Sequence, residues 1–287
     1  MLPPMAVFFP LFTLLEDSGY LPRIAYNLDR PFQCCKACGK QALTMAMGFG
    51  CNAAGITGCR IIDSPRERLI AILTNNFMPC NGRLPLFITL ILLFLCSSQQ
   101  NAASYAVSAL ILTLFILLGI AMTFLSSYLL SATVLSGVSS SFTLEMPPYR
   151  RPQIGKVILR SVTDRTLFVL GRAAAVAAPA GLILWLLANV SPGGISLLSR
   201  ISLILDPLGR LLGMDGVILT AFILGLPANE IVLPIILMAY TAQGNLTGYA
   251  STLQLKQILT ANGWTWTTAV CVMLFSLMHW PCSTTLI

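Results

Sequence analysis

Long apolar runs at residues 1–15, 84–96, 102–130, 167–190, 217–240 and 264–287 alternate with polar, basic connectors. Most come close to the roughly 20 residues an α-helix needs to cross a bilayer, so they predict membrane-spanning helices. Some apolar stretches are broken at their centres. Gly48-Phe49-Gly50-Cys51-Asn52 interrupts the stretch 41–59, Pro79-Cys80-Asn81-Gly82 interrupts 69–96, and Gly225-Leu226-Pro227-Ala228-Asn229-Glu230 interrupts 217–240. Unpaired backbone groups are costly in hydrocarbon. Broken backbone at that depth survives only against protein or a water-filled cavity, so these breaks predict sites inside the bilayer. The stretch 41–59 is short for a crossing, and the basic loops on either side of it fall on one side of the membrane, which predicts a re-entrant hairpin. Residues 69–96 then cross outward and 102–130 return.

Composition supports the same class. The chain is 56% hydrophobic and 9% charged, against about 25% charged in a soluble domain. The net charge of +7 is not a nucleic-acid signal, because the basic residues sit in connecting loops. Arg23, Arg30, Lys36, Lys40, Arg60, Arg66, Arg68, Arg150, Arg151, Lys156, Arg160 and Arg165 occupy one set of loops; Arg200, Arg210 and Lys256 occupy the other. The first set is expected in the cytoplasm. Arg83 and Arg172 remain near or within spans. The first run has no basic leader and is followed by Glu16-Asp17, so it does not read as a cleaved signal peptide. Of nine cysteines, several lie in spans and Cys34, Cys35 and Cys38 lie on the reducing side, so no disulfide framework is expected.

The expected fold class is all-α: a polytopic membrane protein with two inverted repeats built on interrupted and re-entrant helices, repeats of the gate type by the resemblance given below. The first repeat covers residues 1–130, a basic cytoplasmic connector 131–165, and the second repeat 166–287. The pairing rests on two breaks. Gly225–Glu230 answers Gly48–Asn52, and Met278-His279-Trp280-Pro281-Cys282-Ser283 answers Phe77-Met78-Pro79-Cys80-Asn81. The interval from Asn52 to Cys80 is 28 residues, and that from Asn229 to Cys282 is 53. In an inverted repeat the broken helices meet near the midplane. Little apolar sequence follows Cys282, so the second repeat reads as truncated.

Cys51, Cys80 and Cys282 all lie in expected breaks, where freed carbonyls can join a thiol as ligands for a borderline transition metal. Against this stands cysteine's ordinary use as a small core residue. Asn52 adds an amide. Glu230 lies within an apolar segment, where a carboxylate is expensive and usually functional or paired. It reads as a cation ligand or as a partner of a basic residue such as Arg172. Glu16 and Asp17 close the first run and serve either as ligands or as an interfacial pair near Arg23. His279 is the chain's single histidine, which rules out multi-histidine metal sites; with Met78, it stays a ligand candidate beside a packing role. Cys34, Cys35 and Cys38 resemble half a zinc site without its second half. Enzyme motifs are absent. Gly50–Thr57 has the outer spacing of a phosphate-binding loop, but Ile56 stands where its lysine belongs.

Leu15-Glu16-Asp17-Ser18-Gly19-Tyr20-Leu21-Pro22-Arg23, Gly48–Asn52, Arg66-Glu67-Arg68-Leu69, Phe77–Cys80 and Arg83-Leu84-Pro85 resemble the membrane domain of the ferrous iron transport protein B family. The likeness extends through Asn229-Glu230 to Pro281-Cys282; Ala53-Ala54 stands where many relatives have Val-Pro. The resemblance implies a multi-pass permease in the cytoplasmic (inner) membrane that carries Fe(II) inward as substrate. It implies no permanently bound cofactor and no enzyme activity in this stretch. Its partners would be the bilayer, a G domain not present in these residues and small cytoplasmic accessory proteins, with homo-oligomerisation left open. It assigns the metal path to Cys51 and Cys80, with Cys282 at the second Pro-Cys position. Two alternatives carry different chemistry: a gate-fold transporter of an organic solute such as a nucleoside, and a non-transporting structural membrane protein. Thiols at both breaks favour metal.

Overall fold

The computed structural model describes residues 2–96, 102–135, 155, 167–191, 196–241 and 252–286, and among these every regular element is helical. Helix α1 covers Leu2–Asp17 and α2 covers Tyr20–Cys34, joined at Gly19, whose φ of 77° is the left-handed turn that glycine permits without strain. Leu21, Ala25, Asp29 and Phe32 line the buried face of α2 at helical spacing. Helix α3 (Lys40–Gly50) and α4 (Asn52–Gly58) are separated by Cys51 alone, which is extended at φ −157° and ψ 124°. The two limbs form a helical hairpin. A Cβ at Gly58 would lie 2.6 Å from the Met47 sulfur, and Cys59 clusters with Cys38, Ile62 and Ala71. The second limb therefore returns to the end where the first began.

Helix α5 (Pro65–Thr74) opens with proline and Glu67 in its first turn, the residues that best tolerate a helix N-terminus. A tight turn of helix at Asn75–Phe77 leads to extended Met78 and the Pro79-Cys80 break. Helix α6 (Leu84–Leu90) continues as a wider π turn at Ile91–Leu95. Then follow α7 (Ala102–Ala132), α8 (Phe168–Asn189), α9 (Leu197–Leu211), α10 (Gly216–Leu224), a short turn at Asn229–Ile231, α11 (Val232–Thr241), α12 (Thr252–Ala261), α13 (Trp266–Met278) and α14 (Ser283–Leu286). Among the described residues, Ala103–Ala132, Leu170–Asn189 and Trp266–Leu286 are long and apolar enough to cross a membrane; the α9–α10 pair, bent by 108°, makes a fourth if counted as one span. Leu110, Leu114 and Leu117 on α7, and Leu182, Ile183 and Trp185 on α8, point outward. An apolar exterior on such helices is what a lipid solvent calls for. The connector expected at 131–165 falls mostly outside the described residues.

The helices form two compact units. One takes Met1–Asn81 and Ile116–Arg172, the other Gly82–Phe115 and Ala173–Thr285. Each unit contains the same local construction, displaced along the chain by a constant 177 residues. Helices α2 and α9 are both 15 residues long. Asp29 accepts a hydrogen bond from the Gly39 N–H at 2.7 Å, and Asp206 accepts one from the Gly216 N–H at 3.2 Å. Lys36 and Gly213 both have left-handed backbone, with φ 56° and 73°. The Ala37 N–H donates to Phe32 O at 3.0 Å, and the Met214 N–H to Gly209 O at 2.9 Å. Close approach requires glycine at both corners, because a Cβ at Gly39 or Gly216 would stand 2.8 Å from the Cα of Asp29 or Asp206. Twelve residues on from each corner glycine the helix breaks at one extended residue: Cys51 at −157°, 124° and Ala228 at −156°, 123°. A buried asparagine follows each, Asn52 and Asn229.

Candidate functional site

In the first unit the break places Cys51 partly exposed and Asn52 at 2% exposure. Neither Nδ2 nor Oδ1 of Asn52 has a hydrogen-bond partner. Asn75, at 1% exposure, reaches the same place from the end of α5, and its Nδ2 donates to Asn52 O at 3.4 Å while its Oδ1 is unpartnered. Glycines make room for it. A Cβ at Gly48 would lie 3.0 Å from Asn75 Oδ1 and 3.4 Å from Asn52 Oδ1, and one at Gly55 would lie 2.5 Å from Asn75 Nδ2. Asn75 thus ties together the Cys51 break and the Pro79-Cys80 break that begins at its own turn, where the Met78 N–H donates to Asn75 O at 3.2 Å.

A buried polar ladder runs beside these breaks. Gln41 Nε2 donates to Thr74 Oγ1 at 2.9 Å and to Ser127 Oγ at 3.4 Å. Thr123 on α7 donates to the Met78 sulfur at 3.9 Å, and Ser131 accepts from Arg66. Thr123, Ser127 and Ser131 recur every four residues along one face of α7, a spacing legible in the sequence as a polar stripe on an apolar helix. Asn75 and Gln41 carry no comparable signal and are found only through the fold. Cys80 is buried, and Met78 sits in an apolar cluster with Phe32, Ala37 and Met45. Asp17 ends α1 and is exposed; Glu16 lies on the same helix, and its side chain falls outside the described residues.

The second unit holds Glu230, His279 and Cys282. Glu230 follows Asn229 in the short turn after the break and is partly buried. His279 ends α13 at 7% exposure, stacked among Phe222, Phe275 and Trp280. Its Nδ1 lies 2.9 Å from Ser276 O. A carbonyl only accepts, so the proton is on Nδ1 and Nε2 carries the lone pair. Cys282 Sγ pairs with Thr285 Oγ1 at 3.3 Å. The Ser283 N–H donates to Leu226 O at 2.8 Å and ties the Pro281-Cys282 break to the Gly225–Glu230 break. Arg83, at 0% exposure, donates to Leu277 O at 3.2 Å and Trp280 O at 3.3 Å. It satisfies carbonyls that the end of α13 leaves without an intrahelical partner.

Among the described residues no three of His, Cys, Asp and Glu converge as a metal cluster. Of the Cys34, Cys35 and Cys38 group, outside the spans, two thiols are held toward their protonated form. Burial and then the Glu67 carboxylate push the Cys38 thiol up to about 12, and burial with the neighbouring Cys34 raises Cys35. A thiol must lose its proton to bind metal.

The family described as Gate, nucleoside recognition, matches residues 1–94 and 170–287, and that described as the ferrous iron transport protein B C terminus matches 112–164. A Fe(2+) transporter FeoB of Staphylococcus aureus strain COL is 31% identical over 293 residues, covering 99% of this chain and 41% of the relative. That of Methanocaldococcus jannaschii is 28% identical, covering 99% of this chain and 42% of the relative. That of Legionella pneumophila strain Philadelphia 1 is 33% identical over 193 residues, 67% of this chain and 24% of the relative. The chain thus spans well under half the length of these curated relatives. No solved structure matches. With an all-helical architecture and spans of membrane length, the chain is a multi-pass membrane protein that belongs to the Gate family and also carries the match to the ferrous iron transport protein B C terminus.

Proposed function

We infer that this chain is the membrane permease part of a ferrous iron uptake system. In this reading Fe(II) passes the break in the first unit, where Cys51 and Cys80 supply thiols and Asn52 an amide. The observation that carries it is the Cys51 break itself: one extended residue between two helices, followed by a buried amide with no partner. A thiol with neutral oxygens suits a borderline divalent ion, and such a set binds weakly enough to release it, as conduction requires. Cys282, Glu230 and the Nε2 of His279 are the corresponding candidates in the second unit, and Met78 and the Glu16-Asp17 pair stand behind these. The two repeats would be inverted, in the cytoplasmic membrane with the basic loops inside. A G domain and small cytoplasmic proteins would act as partners, and no reaction would be catalysed by this stretch itself.

The test is Fe(II) uptake into proteoliposomes by the protein at its full natural length. Cys51→Ser with Cys80→Ser should lower uptake severalfold while insertion is kept, and Cys96→Ser, whose sulfur packs against Ser108 Oγ at 2.9 Å, should leave it unchanged. Unaltered uptake in the double variant would make both thiols packing residues. The Gate family's description raises an organic solute as the second reading, to which the buried amides could hydrogen-bond; labelled nucleoside in the same vesicles decides between them.

A further inference from the structure

The two amides of the first unit are held in place and left unsatisfied. Asn52 and Asn75 are both more than nine-tenths buried, and three of their four polar side-chain atoms have no hydrogen bond. A buried polar group without a partner costs about 1–3 kcal/mol, and folded proteins rarely keep one without a use. Looseness does not explain it, because Asn75 is wedged where Gly48 and Gly55 lack side chains. The second unit repeats the backbone but not this feature. Asn229 is engaged in an interaction, and no asparagine stands at the end of the helix before the Pro281-Cys282 break.

We propose that the side-chain oxygens of Asn52 and Asn75 form a hard, neutral oxygen subsite for the transported divalent cation, next along the chain from the Cys51 thiol. The inference rests on the reading of this chain as a cation permease and adds Asn75, a residue to which that reading gives no role. Two amide oxygens replace hydration water without adding charge. Asn52 can turn its oxygen toward the ion at no loss, since its nitrogen has no hydrogen bond to give up. The subsite differs from the thiol in chemistry: it takes hard ions, such as Mn(II), that a thiol binds poorly.

The experiment is an EPR titration of the purified 287-residue chain in nanodiscs, with Mn(II) as the probe. Saturable binding is expected, and Cys96→Ser, whose sulfur lies against Ser108 Oγ, should retain it. Asn75→Asp, the same shape with a charge added, should tighten it about tenfold, because a carboxylate adds a direct Coulomb attraction to the ion. Asn75→Leu should abolish it. If Asn75→Leu does not fold, Asn75→Asp decides alone. Mn(II) affinity unmoved by Asn75→Asp, or absent from the wild-type chain, would show that the amides hold only water and would overturn the proposal. Failure of the thiol reading appears elsewhere, as Fe(II) uptake unaffected by the Cys51 and Cys80 substitutions, so the two can fail independently.

Discussion

The Cys51 and Ala228 breaks share one backbone and differ in what they do with it. Their dihedral angles agree to within a degree or so, and each is fed by an amphipathic helix whose aspartate holds a corner glycine. The first break sets a thiol at the extended residue and leaves its amides unsatisfied. The second sets a methyl group there, and the helix end beside it is braced by a buried arginine. One backbone device, broken helix after corner glycine, thus serves in the first unit to present polar atoms and in the second to be held firm. The lesson is that conformation and ligand chemistry separate. The fold creates the opening, and the residue placed at it decides whether the opening can bind.

Removing the brace should have the largest effect. Arg83→Ala leaves the Leu277 and Trp280 carbonyls without their donors in a buried place. A charge-assisted hydrogen bond is worth about 1.5–3 kcal/mol, so a loss of about 3 kcal/mol is expected. Denaturation of the purified protein in mixed micelles would read it. Loss comparable to that from a surface arginine such as Arg210 would mean that the second break stands without the brace.

The corner aspartates give a graded comparison. Asp29→Ala should cost about 2 kcal/mol and Asp206→Ala about 1 kcal/mol, since the first hydrogen bond is shorter and fully buried and the second is longer and partly exposed. The same denaturation assay checks the order. Equal losses would show that burial does not distinguish the two corners.

The smallest effect is one of reactivity. Cys38 and Asp215 occupy equivalent positions in the 177-residue register. Asp215 caps α10 by accepting from the Ile218 N–H at 2.7 Å, while Cys38 is buried as a thiol held up to about 12. A raised thiol value favours the protonated form, so at pH 8 only about one molecule in ten thousand would carry the thiolate, by the gap between the two values. Maleimide should therefore label Cys38 far more slowly than exposed Cys34, and its rate should climb with each unit of pH through 10. Equal rates at pH 8 would mean that Cys38 is open to water.

Much of this was legible in the chain. Runs of apolar residues broken by Gly, Pro and Asn can be built only as interrupted helices, because hydrocarbon leaves no other way to satisfy the backbone. The all-helical class and the interruptions at residues 48–52 and 225–230 could be read from this alone. Cys51 and Asn52 were visible for the same reason: they stand in the break itself. Other parts needed the fold. Asn75 is 23 residues from Asn52, and nothing about a lone asparagine after a helix tells which backbone it will meet. Arg83 reads only as a charge near or within a span, yet its partners lie 194 and 197 residues away. Sequence pattern reports periodicity and local backbone preference, which act over a few residues. Whether a buried polar atom finds a partner depends on elements brought together from distant parts of the chain, and only tertiary structure decides that.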